Sequence, residues 1–74
     1  MITKQEVIEA IKLLDAEFGK VVAYPFGRIA DKLHVDTDQR KILVHQVEEL
    51  VKMKILKQIG SPNNIETALF IKVK

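Results

Sequence analysis

The stretch PFGRIADKLHVDTDQRKILVHQVEELVKMKIL, residues 25–56, consists of two segments with a helical apolar period, separated by the polar HVDTD. Pro25 suits the first turn of a helix, where its missing N–H is not needed. The pattern predicts a helix from there to about Leu33. One apolar face of this helix is expected to hold Phe26, Ile29, Ala30 and Leu33.

The second apolar segment predicts a helix from about Asp38 to Met53. Asp36 or Thr37 is suited to cap it, because a short side-chain oxygen there accepts a free backbone N–H. The buried face is expected to hold Leu43, Val44, Val47, Leu50 and Val51. The opposite direction then holds Asp38, Lys41, Ile42, His45, Glu49 and Lys52.

Upstream, TKQE at residues 3–6 is typical of a helix start. Thr3 and Glu6 form a capping box, in which each side chain bonds the backbone N–H of the other residue. A helix over about residues 3–18 is predicted, ended by Gly19, with Val7, Ala10, Ile11, Leu14 and Phe18 on one face. The β-branched KVVAY that follows predicts a brief strand.

Downstream, the apolar period changes from that of a helix to that of a strand. ILKQI and IETALFIKV are rich in β-formers and are separated by the turn residues GSPNN. They predict a β-hairpin with a loop of about four to six residues. In the second run Ile65, Thr67, Leu69, Ile71 and Val73 alternate with Glu66, Ala68, Phe70 and Lys72.

The predicted order is helix, short strand, helix, turn, helix, strand, loop and strand. Together with IADKLHV and VEELVKMKIL, it resembles the winged-helix (winged helix-turn-helix) DNA-binding domain family over the whole chain. The resemblance implies one α+β, mostly helical domain, residues 1–74, with three helices, a C-terminal β-hairpin wing and a short strand between helices 1 and 2. Many relatives have glycine where this chain has Lys54, so helix 3 is expected to end without an easy left-handed residue.

The composition fits one globular domain, with 74 residues of which 47% are hydrophobic and 30% charged. There is no cysteine, so no disulfide or thiolate metal site supports the core. No apolar run approaches the roughly 20 residues of a membrane span, and MITKQEVIEA lacks the pattern of a secretory leader. We therefore expect a soluble, cytoplasmic protein.

The sequence holds no convincing active site. His34 and His45 are eleven residues apart across a predicted turn, which does not fit a two-histidine metal site on one helix. The three glycines are scattered, and no phosphate-binding loop is present. Capping and the helix dipole explain Asp36 and Asp38. We expect neither catalysis nor a metal or cofactor.

The charge distribution indicates a polyanionic partner. Residues 1–19 carry a net charge of −2 and residues 20–74 a net charge of +4. Ordinary solubilising surface charge is the alternative explanation. The winged-helix resemblance implies that the partner is double-stranded DNA, as expected for a small transcriptional regulator that acts by occupying a site.

The resemblance also implies which residues contact DNA. The N-terminal half of helix 3 reaches the bases in relatives, and here it offers Gln39, Lys41, Ile42, His45 and Gln46. Glutamine can bond adenine, lysine can bond guanine, and isoleucine can touch a thymine methyl. Contacts to phosphate or sugar are expected from Arg40, Lys52, Lys54, Lys57, Ser61, Asn63, Asn64 and Lys72.

Some features favour a different function, a winged-helix module that binds protein or RNA without reading DNA sequence. Glu48 and Glu49 would repel phosphates, and the wing tip GSPNN carries no lysine or arginine. An exposed Ile42 would equally suit a protein interface. The lysines beside the hairpin would equally protect its edge strands from aggregation.

Apolar residues outside the main core faces predict a homodimer, which would match two-fold DNA half-sites. On helix 1 these residues are Ile8, Leu13 and Ala16. The C-terminal strand is the other candidate, because Ala68 and Phe70 alternate away from the Leu69/Ile71 face. Alternatively, Ile8 and Leu13 pack against the hairpin and Phe70 completes the core.

Overall fold

The computed structural model of the chain describes residues 2–60 and 63–73, so the predicted contact of Ser61 lies outside the described residues. The elements follow in the order α1 (Lys4–Phe18), β1 (Tyr24–Pro25), α2 (Phe26–Leu33), α3 (Thr37–Lys52), β2 (Leu56–Ile59), a 3₁₀ helix (Ile65–Thr67) and β3 (Leu69–Lys72). This order confirms the predicted α+β fold, a three-helix winged helix-turn-helix with a C-terminal hairpin and a short strand between the first two helices.

Helix α1 begins and ends as the sequence predicts. The Glu6 N–H donates to the Thr3 hydroxyl and the Thr3 N–H donates to the Glu6 carboxylate, both at 3.2 Å. Gly19 ends the helix in the left-handed conformation, with φ 72°. Four of the five predicted core residues are buried, but Phe18 is 50% exposed. Its ring lies beside Tyr24 and under the Arg28 guanidinium, at the margin of the core.

A three-residue turn, His34 to Asp36, joins α2 to α3. His34 has a left-handed φ of 55°, and its N–H donates to the Asp31 carbonyl. The Val35 N–H donates back to the Ala30 carbonyl, which completes the hydrogen bonding at the end of α2. Asp36 is the cap of α3, since its carboxylate accepts the Gln39 N–H at 2.8 Å. The turn therefore orients α3 through local bonds.

The end of α3 differs from the expectation at one residue. Lys54 adopts the left-handed conformation, with φ 63°, although it is not a glycine. Its N–H donates to the Val51 carbonyl, and the Ile55 N–H donates to the Leu50 carbonyl, both at 3.0 Å. These two bonds form a Schellman motif, which satisfies carbonyls that would otherwise lack a partner. Helix α3 therefore does end on a left-handed residue, although Lys54 adopts this conformation less easily than glycine, because the motif requires it.

The three strands form one antiparallel sheet in the order β1-β3-β2. Phe70 pairs with Tyr24 on one side and with Gln58 on the other. Ala68 and Phe70 are fully buried, whereas Leu69 is 39% exposed. Phe70 therefore completes the core, and the idea that Ala68 and Phe70 form a dimer interface is wrong. As the central strand, β3 is paired on both sides at Leu69 and Phe70.

The hairpin loop is longer than the predicted four to six residues. It runs from residue 60 to residue 68, because residues 65–67 form a 3₁₀ helix instead of continuing the strand. The Asn64 side chain accepts the Glu66 N–H at 3.0 Å, and the Thr67 hydroxyl donates to the Asn64 carbonyl. These side-chain bonds compete with strand pairing, which explains why the apolar alternation was misleading here.

The core lies between the inner face of the sheet and the three helices. Its largest fully buried side chains are Phe26, Phe70, Ile11, Ile29, Leu43, Leu50, Leu56, Val7 and Val47. Val44 and Val51, predicted to be buried on α3, are half-buried and pack against this core. Within the described residues, no helix combines the length and the apolar character that crossing a membrane requires.

Candidate nucleic-acid interface

The outer face of α3 carries a stripe of three exposed side chains, Lys41, His45 and Lys52. They are spaced four and seven residues apart, which places them on one face of a helix. At 1.5 Å per residue the stripe extends over roughly 16 Å. The core face of α3 (Leu43, Val47 and Leu50) is fully buried. The opposite face, which carries the stripe, is therefore held toward solvent. We name these three residues the α3 stripe.

Carboxylates moderate the charge of the α3 stripe. The His45 Nε2 lies 3.8 Å from the Glu49 carboxylate, on the next turn of the helix. Glu48 is half-buried and lies on the side of α3 that faces the hairpin. The stripe is therefore basic at its two ends and mixed in its middle.

A groove runs between α3 and the wing, and we name it the wing groove. Its lining residues are Glu48, Val51, Lys52, Gln58, Asn63 and Ile65. The groove brings Lys52, at the end of the α3 stripe, together with Asn63 of the wing loop. Both are predicted contact residues that lie eleven positions apart in the chain. A backbone phosphate or sugar placed here would meet a cation and an amide.

Arg40 ties the wing loop to α3 instead of extending into solvent. Its Nε donates to the Glu66 carboxylate at 2.6 Å, and its guanidinium lies 4.9 Å from the centre of the Phe26 ring. Phe26 is fully buried, so the arginine stem packs over the core. The predicted contact of Arg40 with a phosphate is not supported by this arrangement, because Glu66 already neutralises the guanidinium.

Two predicted base contacts are engaged within the fold instead of facing solvent. The Gln46 side-chain amide donates to the Ile2 carbonyl at 3.1 Å, and its Oε1 is buried without a partner among the described residues. Ile42, predicted to point outward, packs partly buried against the core. Gln46 therefore ties α3 to the residues before α1, and Ile42 adds to the packing around the core. Gln39, beside the cap of α3, is half-buried.

The remaining predicted contacts lie outside the α3 stripe, and Lys54 and Lys57 line a second groove together with Val51, Leu56, Gln58 and Val73. Lys57 is exposed, and strand alternation places it on the face of the sheet opposite to the buried Leu56. Lys72 is half-buried and pairs with Leu56, while Lys54 is exposed at the end of α3. Asn64 is exposed, but its side-chain oxygen caps the 3₁₀ helix.

Sequence reasoning missed two features of this region. Gln58 lines the wing groove. Which residues of β2 face α3 becomes clear only from the register of β2 against β3. The contact of Arg40 with Glu66 joins residues 26 positions apart, and no local pattern predicts such a pair. On a helical wheel of α3, Arg40 lies near the core side, and this position is the one signal that the sequence offers.

Outside α3, the main electrostatic feature is a buried tyrosine. The Tyr24 hydroxyl donates to the Asp15 carboxylate at 2.6 Å. Burial and this carboxylate raise the pKa of Tyr24 to about 12, because both disfavour the phenolate. The described part of the chain holds no group of three or more His, Cys, Asp or Glu residues that could bind a metal ion.

Neither a protein-family model, nor a curated protein, nor a solved structure matches the chain.

Proposed function

We propose that this chain is a winged-helix protein of the cytoplasm that binds double-stranded DNA and acts as a small, non-catalytic transcriptional regulator. The observation that carries the proposal is the α3 stripe, which stands exposed on the second helix of a helix-turn-helix. In this motif the second helix enters the major groove. The wing groove beside the stripe supports the same orientation, because it offers Lys52 and Asn63 to the DNA backbone.

Each part of the surface has a different role in the proposal. Lys41 and His45 lie nearer the N-terminus of α3 and would reach base edges, where lysine recognises guanine through O6 and N7. Lys52 would neutralise a phosphate, and Asn63 would position the backbone by hydrogen bonding. Arg40, Ile42 and Gln46 act within the fold in this proposal. Arg40 ties the wing loop to α3, Ile42 packs against the core, and Gln46 bonds the Ile2 carbonyl.

Binding to duplex DNA at several salt concentrations tests the proposal. We expect affinity to fall steeply with salt, because phosphate contacts release counterions. Lys41→Ala should lose about 1–3 kcal/mol on a selected site and relax base preference, whereas Lys52→Ala should weaken all sequences similarly. Lys12→Ala removes an exposed lysine from α1, outside the proposed interface, and is the matched control.

Three results would contradict DNA binding through the α3 stripe. One is no association with duplex DNA even at low salt. Another is equal loss of affinity in the Lys41 and Lys12 variants. The third is preferential binding to RNA or to a protein, which would favour the alternative of an interaction module. Glu48 and Glu49 beside the stripe make that alternative worth testing in the same assay.

A further inference from the structure

The outer face of the sheet is apolar and lies outside the core. Ile59 pairs with Leu69, and Lys57 pairs with Ile71, so these four side chains share one face. Ile59 and Leu69 are each 39% exposed, and Ile71 is half-buried without packing against the core. We name these four residues the outer sheet face. Since Phe70 is buried on the other side, β3 is apolar on both faces, which is typical of strands covered on both sides.

A second surface, also apolar but with carboxylates where the first has a lysine, lies between α1 and α2, and we name it the acidic groove. Its lining residues are Thr3, Gln5, Glu6, Glu9, Ala10, Leu13, Lys32 and Leu33. Leu13 is 55% exposed in it. Lys32 forms an ion pair with Glu17, whereas neither Glu6 nor Glu9 pairs with a lysine or arginine in the described part of the chain. The groove is therefore apolar with carboxylates at its rim.

The two surfaces complement each other in charge and in spacing. Lys57 on the outer sheet face has no carboxylate partner among residues 2–60 and 63–73. Along β2, Lys57 and Ile59 are two residues apart, roughly 7 Å. Along α1, Glu9 and Leu13 are four residues apart, roughly 6 Å. Lys57 can therefore meet Glu9 while the apolar residues next to it meet Leu13.

We propose that copies of this chain associate head to tail, with the outer sheet face of one copy in the acidic groove of the next. Such a contact is heterologous, because it joins two different surfaces. It uses both regions that the sequence marked as alternatives for dimerisation, helix 1 and the C-terminal strand, but against each other. The α3 stripe belongs to neither surface, so the inference does not rest on DNA binding.

Two variants test the head-to-tail contact, because each removes one surface and keeps the other. Leu13→Lys places a cation in the acidic groove, and Leu69→Gln places an uncharged polar amide on the outer sheet face, so the two altered surfaces gain no attraction for each other. Each variant alone should be monomeric by sedimentation equilibrium at up to about 1 mM protein, a range that populates weak interfaces. An equimolar mixture should form a 1:1 dimer that grows no further, since only one intact groove meets one intact sheet face.

The controls separate this result from loss of folding and from general charge effects. Met53→Lys also replaces an exposed apolar residue by lysine, at the C-cap of α3 outside both surfaces, and should associate like the natural chain. Circular dichroism should show native helix content in all variants. Association of the natural chain should weaken as the salt concentration is raised, because Lys57 and the carboxylates of the acidic groove are exposed to solvent and salt screens their attraction.

Several results would overturn the proposal. A natural chain that stays near 8.4 kDa throughout the concentration range excludes the contact. If either single variant associates as strongly as the natural chain, the interface is two-fold or lies elsewhere. If both variants are folded monomers but their mixture stays monomeric, the two surfaces do not meet each other.

Discussion

At the scale of single residues, Tyr24 and Asp15 form a contact whose effect depends on pH. The folded-state pKa of Tyr24 is about 12, above its ordinary value of 10. The neutral phenol is therefore favoured by folding, and its contribution is fully present below pH 10 and is lost as pH rises toward 12. This direction follows from burial first and from the carboxylate second, since each penalises the phenolate.

We predict that the melting temperature of the natural chain falls between pH 10 and 12, and that Tyr24→Phe weakens this dependence. The variant should also lose about 1 kcal/mol at neutral pH, the usual contribution of one hydrogen bond. Because Tyr24 is the one tyrosine of the chain, ultraviolet titration of the phenol reports its pKa directly. A measured pKa near 10 would show that neither burial nor the contact with Asp15 disfavours the phenolate of Tyr24.

Lys54 is the residue whose backbone conformation is least favourable for its side chain. A left-handed residue with a Cβ costs roughly 1–2 kcal/mol, while glycine adds up to about 1 kcal/mol of unfolded-state entropy. We predict that Lys54→Gly stabilises the fold by roughly 0.5–1 kcal/mol in urea unfolding. Lys54→Ala is the matched control, because it removes the same side chain but keeps the Cβ, and it should give no such gain.

Residue-level features were predictable where they are local. The Thr3/Glu6 capping box, the cap at Asp36 and the end at Gly19 each depend on a few neighbouring positions, and all three are present in the structure. Gln46 was not predictable in this way. Its amide bonds the Ile2 carbonyl, 44 positions away, and a helical wheel does not show which neighbouring element lies beside it.

At the scale of elements, the helices were easier to predict than the strand faces. A helix here has one apolar stripe and one polar side, so its period identifies its buried face. Strand β3 has apolar side chains at Leu69, Phe70 and Ile71 in succession. With both faces apolar, alternation cannot tell the inner from the outer face. The pairing of Tyr24 with Phe70 settles it in the structure.

The wing loop is held to α3 by the pair of Arg40 and Glu66, and we predict its effect to be local. Both side chains are substantially exposed, so Glu66→Gln should lower global stability by less than about 1 kcal/mol. Amide exchange in residues 63–68 should nevertheless become faster, because the loop loses its tie to the helix.

Glu17→Gln is the matched control for that experiment, since it removes another exposed ion pair, with Lys32, far from the wing loop in sequence. It should leave exchange in residues 63–68 unchanged. If Glu66→Gln also leaves it unchanged, the bonds of Asn64 alone hold the loop.

At the scale of the whole molecule, the sequence predicted which elements form the candidate site but not which of their residues belong to it. The order of elements identified α3 and the wing, and exposure confirms that Lys41, His45 and Lys52 face solvent. Arg40, Ile42 and Gln46 lie on the same helix but serve the contacts between α3 and its neighbours. Those contacts depend on how the elements pack, which a single helical period does not contain.

The stability of the whole domain depends on the sheet being joined to the helices through Phe70. A chain of this length has a stability of only about 5–10 kcal/mol, and replacing a buried phenylalanine by alanine costs about 3–5 kcal/mol. Phe70→Ala should therefore remove much of the folding free energy and lower the urea midpoint strongly. The Phe70 side chain is fully buried, so solvent cannot fill the cavity that its truncation leaves, and the energetic cost of the cavity remains.

Leu69→Ala is the matched comparison, one position away on the opposite face of β3. Leu69 is 39% exposed and lies outside the core, so its truncation should cost less than about 1 kcal/mol in dilute solution. The two variants differ in which face of one strand they change, and urea unfolding at low protein concentration compares them directly. Equal destabilisation by both, or a larger effect of Leu69→Ala, would mean that the inner and outer faces of the sheet are assigned the wrong way round.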